Sequence, residues 1–132
     1  MDNLKSQMYR LATKIYAPES LLPLTGEYAR AGGKIGDNFR TDSHEYLDID
    51  DSGYHLVCIS RSIEIKRITS RDINEIMYSV SDYVTNCMSA NSIMHLNLKN
   101  PEYLETFYKK QLSLLRQLNH SWSKRKRNEI NK

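Results

Sequence analysis

From Glu45 to Ile68 two segments with apolar side chains at every second position flank one short, continuously apolar run, whereas before and after that stretch apolar residues recur every third or fourth. The period of two belongs to strands and the longer one to helices, so the chain must join a sheet to helices contributed from both of its ends. Leu47 and Ile49 alternate with Tyr46, Asp48 and Asp50, and Asp51-Ser52-Gly53 then supplies a turn in which Gly53 is free to take a positive φ. Tyr54 to Ser60 reads as a central strand, apolar at Leu56, Val57, Cys58 and Ile59. After Arg61 and Ser62 a third strand runs from Ile63 to Ile68. Short links between short strands predict an antiparallel meander of at least three strands, packed against helices from both ends of the chain, an α+β fold. On this reading Leu47, Ile49, Ile63 and Ile65 line the covered face, while Asp48, Asp50, Glu64 and Lys66 point outward.

The flanking helices follow from their stripes. Leu4, Met8, Leu11, Ala12 and Ile15 mark a helix from Asn3 to Tyr16 that Pro18 stops. From there to Gly36 the density of proline and glycine predicts an irregular connection with at most one helical turn. Gly32, Gly33 and Gly36 lack the lysine and hydroxyl spacing of a phosphate loop. Thr69 or Ser70 is the expected cap of a second helix, with Asp72 in its first turn and a stripe through Ile73, Ile76, Met77, Val80, Val84, Cys87 and Met88. Pro101 is expected at the first position of a third helix whose apolar face carries Leu104, Phe107, Tyr108, Leu112, Leu114, Leu115 and Leu118. Asn119-His120-Ser121 breaks that helix, and Ser121 caps a short last one holding Trp122.

A length of 132 residues fits one domain spanning 1–132, long enough to bury a core without disulfide or metal. No apolar run reaches the length of a membrane span, and the opening MDNLKSQMYRL has neither an apolar h-region nor a cleavage site. Cytoplasm is therefore the expected compartment, with Cys58 and Cys87 as core thiols. The net charge of +3 conceals an asymmetry: Asp37 to Tyr54 holds six carboxylates against one arginine, and Lys99 to Lys132 holds nine basic residues against three glutamates. Two surfaces of opposite potential would steer charged partners.

No set of residues for catalysis assembles along the chain. His44, His55, His95 and His120 never fall with the cysteines at metal-ligand spacing, so neither a metal nor another cofactor is expected. Cys58 sits inside an apolar strand, and no serine stands in a strained elbow between glycines. Asp48 and Asp50 share a strand face, but an exposed hairpin offers no pocket to separate their pKa values. Recognition suits these carboxylates better. Asp42, Glu45, Asp48, Asp50 and Asp51 lie within ten residues, with Tyr46 and Tyr54 beside them, which makes these seven residues the candidate protein-binding site.

Two segments carry a family resemblance. TSRDINEIMYSVSDYVT (Thr69 to Thr85) and YKKQLSLLRQLNHSW (Tyr108 to Trp122) resemble the polymorphic-toxin immunity proteins of family sixty-three. The matching positions are Thr69, Asp72, Met77-Tyr78 and Thr85, then Tyr108, Lys110-Gln111-Leu112, Leu114-Leu115, Leu118 and Trp122, with Arg125 and Glu129 beyond. These are packing positions rather than chemical ones. The resemblance implies a small cytoplasmic, non-enzymatic protein that binds and neutralises a cognate bacterial toxin domain delivered by neighbouring cells, contact-dependent growth inhibition being one route. It implies a nuclease domain at the C-terminus of a large secreted effector as that partner, and no contact with membrane or nucleic acid. A basic toxin would suit the acidic segment, whereas the positive net charge confines such complementarity to a local patch. The alternative is a small nucleic-acid-binding or regulatory domain that uses the basic C-terminal half.

Overall fold

The apolar stripe of the first residues closes into helix α1, Asp2–Ile15, with Leu4, Met8, Leu11, Ala12 and Ile15 all buried. Tyr16 takes a left-handed φ of 56°, and the Ala17 N–H donates to Ala12 O at 2.9 Å, a helix ending usually given to glycine. Pro18 follows, then one 3-10 turn at Glu19–Leu21. The computed structural model describes residues 2–25 and 44–132, and Gly26 to Ser43, with Asp42 and the glycine-rich connection, lie outside the described residues.

Three strands follow: β1 (His44–Asp50), β2 (Gly53–Ser60) and β3 (Ile63–Ser70), antiparallel in the order β1-β2-β3. Leu47 pairs with Leu56 and Leu56 with Ile68, while Tyr46 pairs with Val57 and Val57 with Arg67. Leu24 adds a single parallel bridge along the outer edge of β1, its N–H donating to Glu45 O and its carbonyl accepting from Leu47 N–H. Buried residues occur on both faces in the middle of the sheet, Leu47 and Leu56 on one and Tyr46 and Val57 on the other.

The expected covered face needs correction. Ile49 is exposed, and Ile63 and Ile65 each keep 66% of their surface. At β3, which among the described residues pairs on one side only, the register also breaks. Cys58 pairs with Lys66 but Ile59 with Glu64, so Ile65 is an extra residue, a β-bulge. Beyond it every position of β3 up to Arg67 is exposed.

Helix α2 runs Ile73–Ile93, α3 Glu102–Leu118 and α4 His120–Ile130, with a 3-10 turn at Met94–Leu96. The caps differ in detail from the sequence expectation. Asp72, not Thr69 or Ser70, accepts from the Asn74 N–H at 2.9 Å, and Asn119, not Ser121, accepts from the Ser121 N–H at 2.9 Å. Pro101 stands just before α3 rather than inside it.

The chain forms two compact units, Met1–Tyr9 with Leu22–Val80, and Arg10–Leu21 with Ser81–Lys132. The first contains the sheet, the opening turns of α1 and the opening turns of α2. In the second, Ser81, Thr85 and Ser89 recur every four residues on α2 and are wholly buried, a row of small side chains that lets a neighbouring helix approach closely. The Ser89 hydroxyl donates to Phe107 O of α3. Gln111 of α3, also wholly buried, directs Nε2 at Asp82 O, Asp82 Oδ1 and Thr85 Oγ1, at 3.1–3.2 Å. Lys126 of α4 completes the group through an ion pair of 2.8 Å with Asp82.

Candidate functional site

The seven candidate residues separate once the strands are formed. Asp42 lies outside the described residues. Tyr46 is 5% exposed, packed with Val57, Leu24 and Ile59 and stacked on His44 at 6.0 Å, so it serves the core and is no surface anchor. Its position beside Leu47 in sequence puts it on the opposite face of β1, and that face is covered too. Glu45 and Asp48 are half-buried, opposite Cys58 and His55, and Tyr54 is half-buried opposite Ile49. Asp50 and Asp51 stand exposed at the β1–β2 turn.

At that turn Asp50, Ser52 and His55 meet. Asp50 Oδ1 accepts from the Ser52 N–H at 2.9 Å and from the Ser52 hydroxyl at 2.6 Å, and lies 2.8 Å from His55 Nε2. His55 is buried, and its Nδ1 lies 2.8 Å from Thr69 Oγ1 of β3. The hydrogen bond with His55, followed by those from the Ser52 hydroxyl and N–H, holds the Asp50 carboxyl far below the usual carboxylate range. The three residue types are those of an acyl-transfer triad, but the wiring differs. In a triad the carboxylate holds Nδ1 and the serine meets Nε2. Here Asp50 and Ser52 both meet Nε2, the Ser52 proton goes to Asp50, and Thr69 occupies Nδ1. The arrangement clamps the turn to β3. It activates no nucleophile.

His44 and His55 share a face but stand opposite Ile59 and Asp48, four pairing positions apart, roughly 13 Å along the strand. Cys58 and Cys87 are half-buried thiols rather than the core thiols expected, and burial pushes the Cys58 thiol up. Among the described residues no three His, Cys, Asp or Glu side chains gather as metal ligands, and no helix is long and apolar enough to cross a membrane.

The surface that the sequence reading passed over is β3. It is an edge strand, and among the described residues no strand pairs with its outer side. Ile63 and Ile65 stand exposed there, alternating with Glu64 and Lys66. The bulge brings Glu64 and Arg67 onto the same face, where the guanidinium forks onto the carboxylate at 2.7 and 3.1 Å. Arg61 and Ser62 close the β2–β3 turn with φ of 51° and 65°, the paired positive values that a two-residue hairpin loop requires. Charges alternating through a β-branched strand were the available signal, since edge strands carry them to discourage indiscriminate pairing.

The motif positions fall into this frame as structural links. Thr69 meets His55, Asp72 caps α2, Thr85 and Gln111 bond to each other, and Arg125 pairs with Glu129 at 3.5 Å. A family model described as Immunity protein 63 matches residues 50–132, from the end of β1 through α4. No curated protein and no solved structure matches the chain. With more than half of its length matched, including both segments that carried the resemblance, the chain belongs to the Immunity protein 63 family, whose role is immunity against a toxin.

Proposed function

We propose that this protein neutralises its toxin by direct binding through the three-stranded sheet, with β3 as the apolar contact and the acidic β1–β2 turn as the charged flank. The toxin is a nuclease domain at the C-terminus of a large effector secreted by a neighbouring bacterial cell, as in contact-dependent growth inhibition, and the encounter takes place in the cytoplasm. The protein itself turns over no substrate. The observation that carries the reading is the pair Ile63 and Ile65, each 66% exposed on an edge strand that lies within the family match. Two large apolar side chains on an edge that no strand covers among the described residues offer both desolvation energy and backbone groups to an incoming segment.

Asp48 and Asp51 supply negative charge at the other end of the sheet. Asp50 adds its Oδ2, because every hydrogen bond to its carboxylate in the clamp falls on Oδ1. A nuclease binds phosphates through basic residues, so this flank would raise the association rate and select the partner, while the isoleucines set the lifetime of the complex.

The test is protection of cells that express the toxin domain, together with binding of the purified pair. Ile63→Lys with Ile65→Lys should abolish protection and leave the melting temperature near that of the parent, because both side chains are already exposed. Asp48→Lys with Asp51→Lys should slow association, with an effect that shrinks as salt is raised. Exchanging Lys124 and Arg125 for glutamate should change neither. Full protection by the double isoleucine variant would reject β3 as the docking surface.

A further inference from the structure

Within the second unit, a cavity of about 290 Å³ is lined by Lys109, Leu112, Ser113 and Arg116 of α3 and by Ser123 and Arg127 of α4. The helical period makes it. Positions 109, 112, 113 and 116 fall on one face of α3, and 123 and 127 on one face of α4. Asn119 alone separates the two helices, and the buried Ser123 hydroxyl donates to Leu112 O at 3.2 Å, fixing α4 against α3 at the cavity itself.

Three cations therefore converge on one small concavity. Of the carboxylates in this unit, Asp82 holds Lys126 and Glu129 holds Arg125. Lys109, Arg116 and Arg127 form no ion pair among the described residues. Like charges gathered in this way repel, and the repulsion is relieved by an anion that several of them share.

The geometry points to a binding site for a compact phosphate-bearing ligand, between inorganic phosphate and a mononucleotide in size. A single carboxylate would leave most of the positive charge uncompensated, whereas a phosphate monoester brings close to two negative charges and several acceptor oxygens to one point. Arginine forks match those oxygens in pairs, lysine adds a point charge, and the Ser113 hydroxyl adds a donor. The volume sits at the small end of ligand pockets, and Leu112 gives it an apolar wall on which a sugar or base would rest. The site uses none of the residues assigned to toxin binding and stands independently of that assignment.

Calorimetric titration of the full chain with inorganic phosphate, with AMP and with a short single-stranded RNA tests it, at low and at moderate salt. Trp122, the chain's one tryptophan, precedes Ser123 and gives a parallel fluorescence signal. Saturable binding of AMP or phosphate is expected, weakened about tenfold or more by Arg116→Glu or by Arg127→Glu. Lys124→Glu, on α4 but outside the cavity, should retain parental affinity. Both arginines are exposed, so circular dichroism and melting of the variants should match the parent. Absence of saturable binding by either small ligand at millimolar concentration overturns the proposal. So does a Lys124→Glu variant as impaired as Arg116→Glu, which would mean a diffuse basic surface. Binding of the RNA alone, with a steep dependence on salt, would replace the compact site by an extended nucleic-acid track.

Discussion

Replacing Gln111 separates what its amide contributes from what its volume contributes. The side chain is 0% exposed, and its two N–H hydrogens face three acceptors: Asp82 O, Asp82 Oδ1 and Thr85 Oγ1. One bond to a charged acceptor contributes about 1.5–3 kcal/mol and one to a neutral acceptor about 0.5–1.5 kcal/mol, so the amide nitrogen contributes roughly 2–4 kcal/mol. Among the described residues Gln111 Oε1 is buried without a hydrogen-bond partner, which costs about 1–3 kcal/mol and offsets much of that gain. Methionine fills the same space and carries neither term. Nor does it orphan the old partners, since Asp82 Oδ1 keeps Lys126 at 2.8 Å and the Thr85 hydroxyl still donates to Ser81 O at 2.7 Å. Gln111→Met should therefore cost about 1–2 kcal/mol. Gln111→Ala adds a cavity of four heavy atoms in a wholly buried place and should cost about 3–5 kcal/mol in total, the range of large-to-alanine core changes. Urea titrations at equal slope give both numbers as midpoint shifts. Equal midpoints for the two variants would show that packing at residue 111 contributes nothing. A methionine variant losing more than about 4 kcal/mol would show that Oε1 is satisfied in solution, and either result refutes the reasoning.

Two further outcomes follow from the sheet. A Cβ at Gly53, where φ is 127°, would stand 2.7 Å from Ser70 O and 3.0 Å from Ser70 C, both backbone atoms that cannot swing aside. Gly53→Ala should thus cost about 2–3 kcal/mol in a urea titration, and a loss below about half a kcal/mol would rule that contact out. For Asp50 the sign follows from its lowered pKa: its stabilisation is fully present above the ordinary carboxylate value of 3.8 and is lost as pH falls from there toward the folded value. The melting temperature of Asp50→Asn should accordingly fall less steeply than the parent's in that acidic window while lying below it at neutral pH, and parallel curves would deny Asp50 the role.

Element order was legible because each segment announces its period and its stops. The stripe of α1, the two tight turns of the meander and the Asn119 break all stand in the sequence as they stand in the structure. What alternation cannot supply is the sign of a face. Tyr46 and Leu47 are neighbours on opposite faces, and both are buried, so the strand pattern carried no information about which side meets solvent. At β3 one extra residue, Ile65, offset the alternation, and the edge position removed the cover that the isoleucines seemed to need. For the same reason Tyr46, an anchor candidate by sequence, is a core residue, and Ile63, a core candidate by sequence, is exposed. Gln111 was hidden for another reason. It occupies an apolar stripe with Tyr108, Leu112 and Leu115, and only the matching row of Ser81, Thr85 and Ser89 on α2 signals that this stripe accepts a polar partner.

The residues that carry family membership and those that would touch a partner are different sets. Thr85, Gln111, Leu114 and Leu115 are buried, Asp72 is engaged in a cap, and Thr69 is engaged with His55. None of the buried four can reach a toxin while the protein is folded, so what they specify is a scaffold. The exposed side chains Ile63, Ile65 and Asp51 and the cations at the α3–α4 cavity lie outside that motif, and their replacement leaves the buried network intact. A fold divided in this way tolerates change at its surface at little cost in stability, because exposed positions contribute little to the folding free energy. One scaffold can then serve partners of different chemistry, each selected by a few side chains at the edge of a sheet.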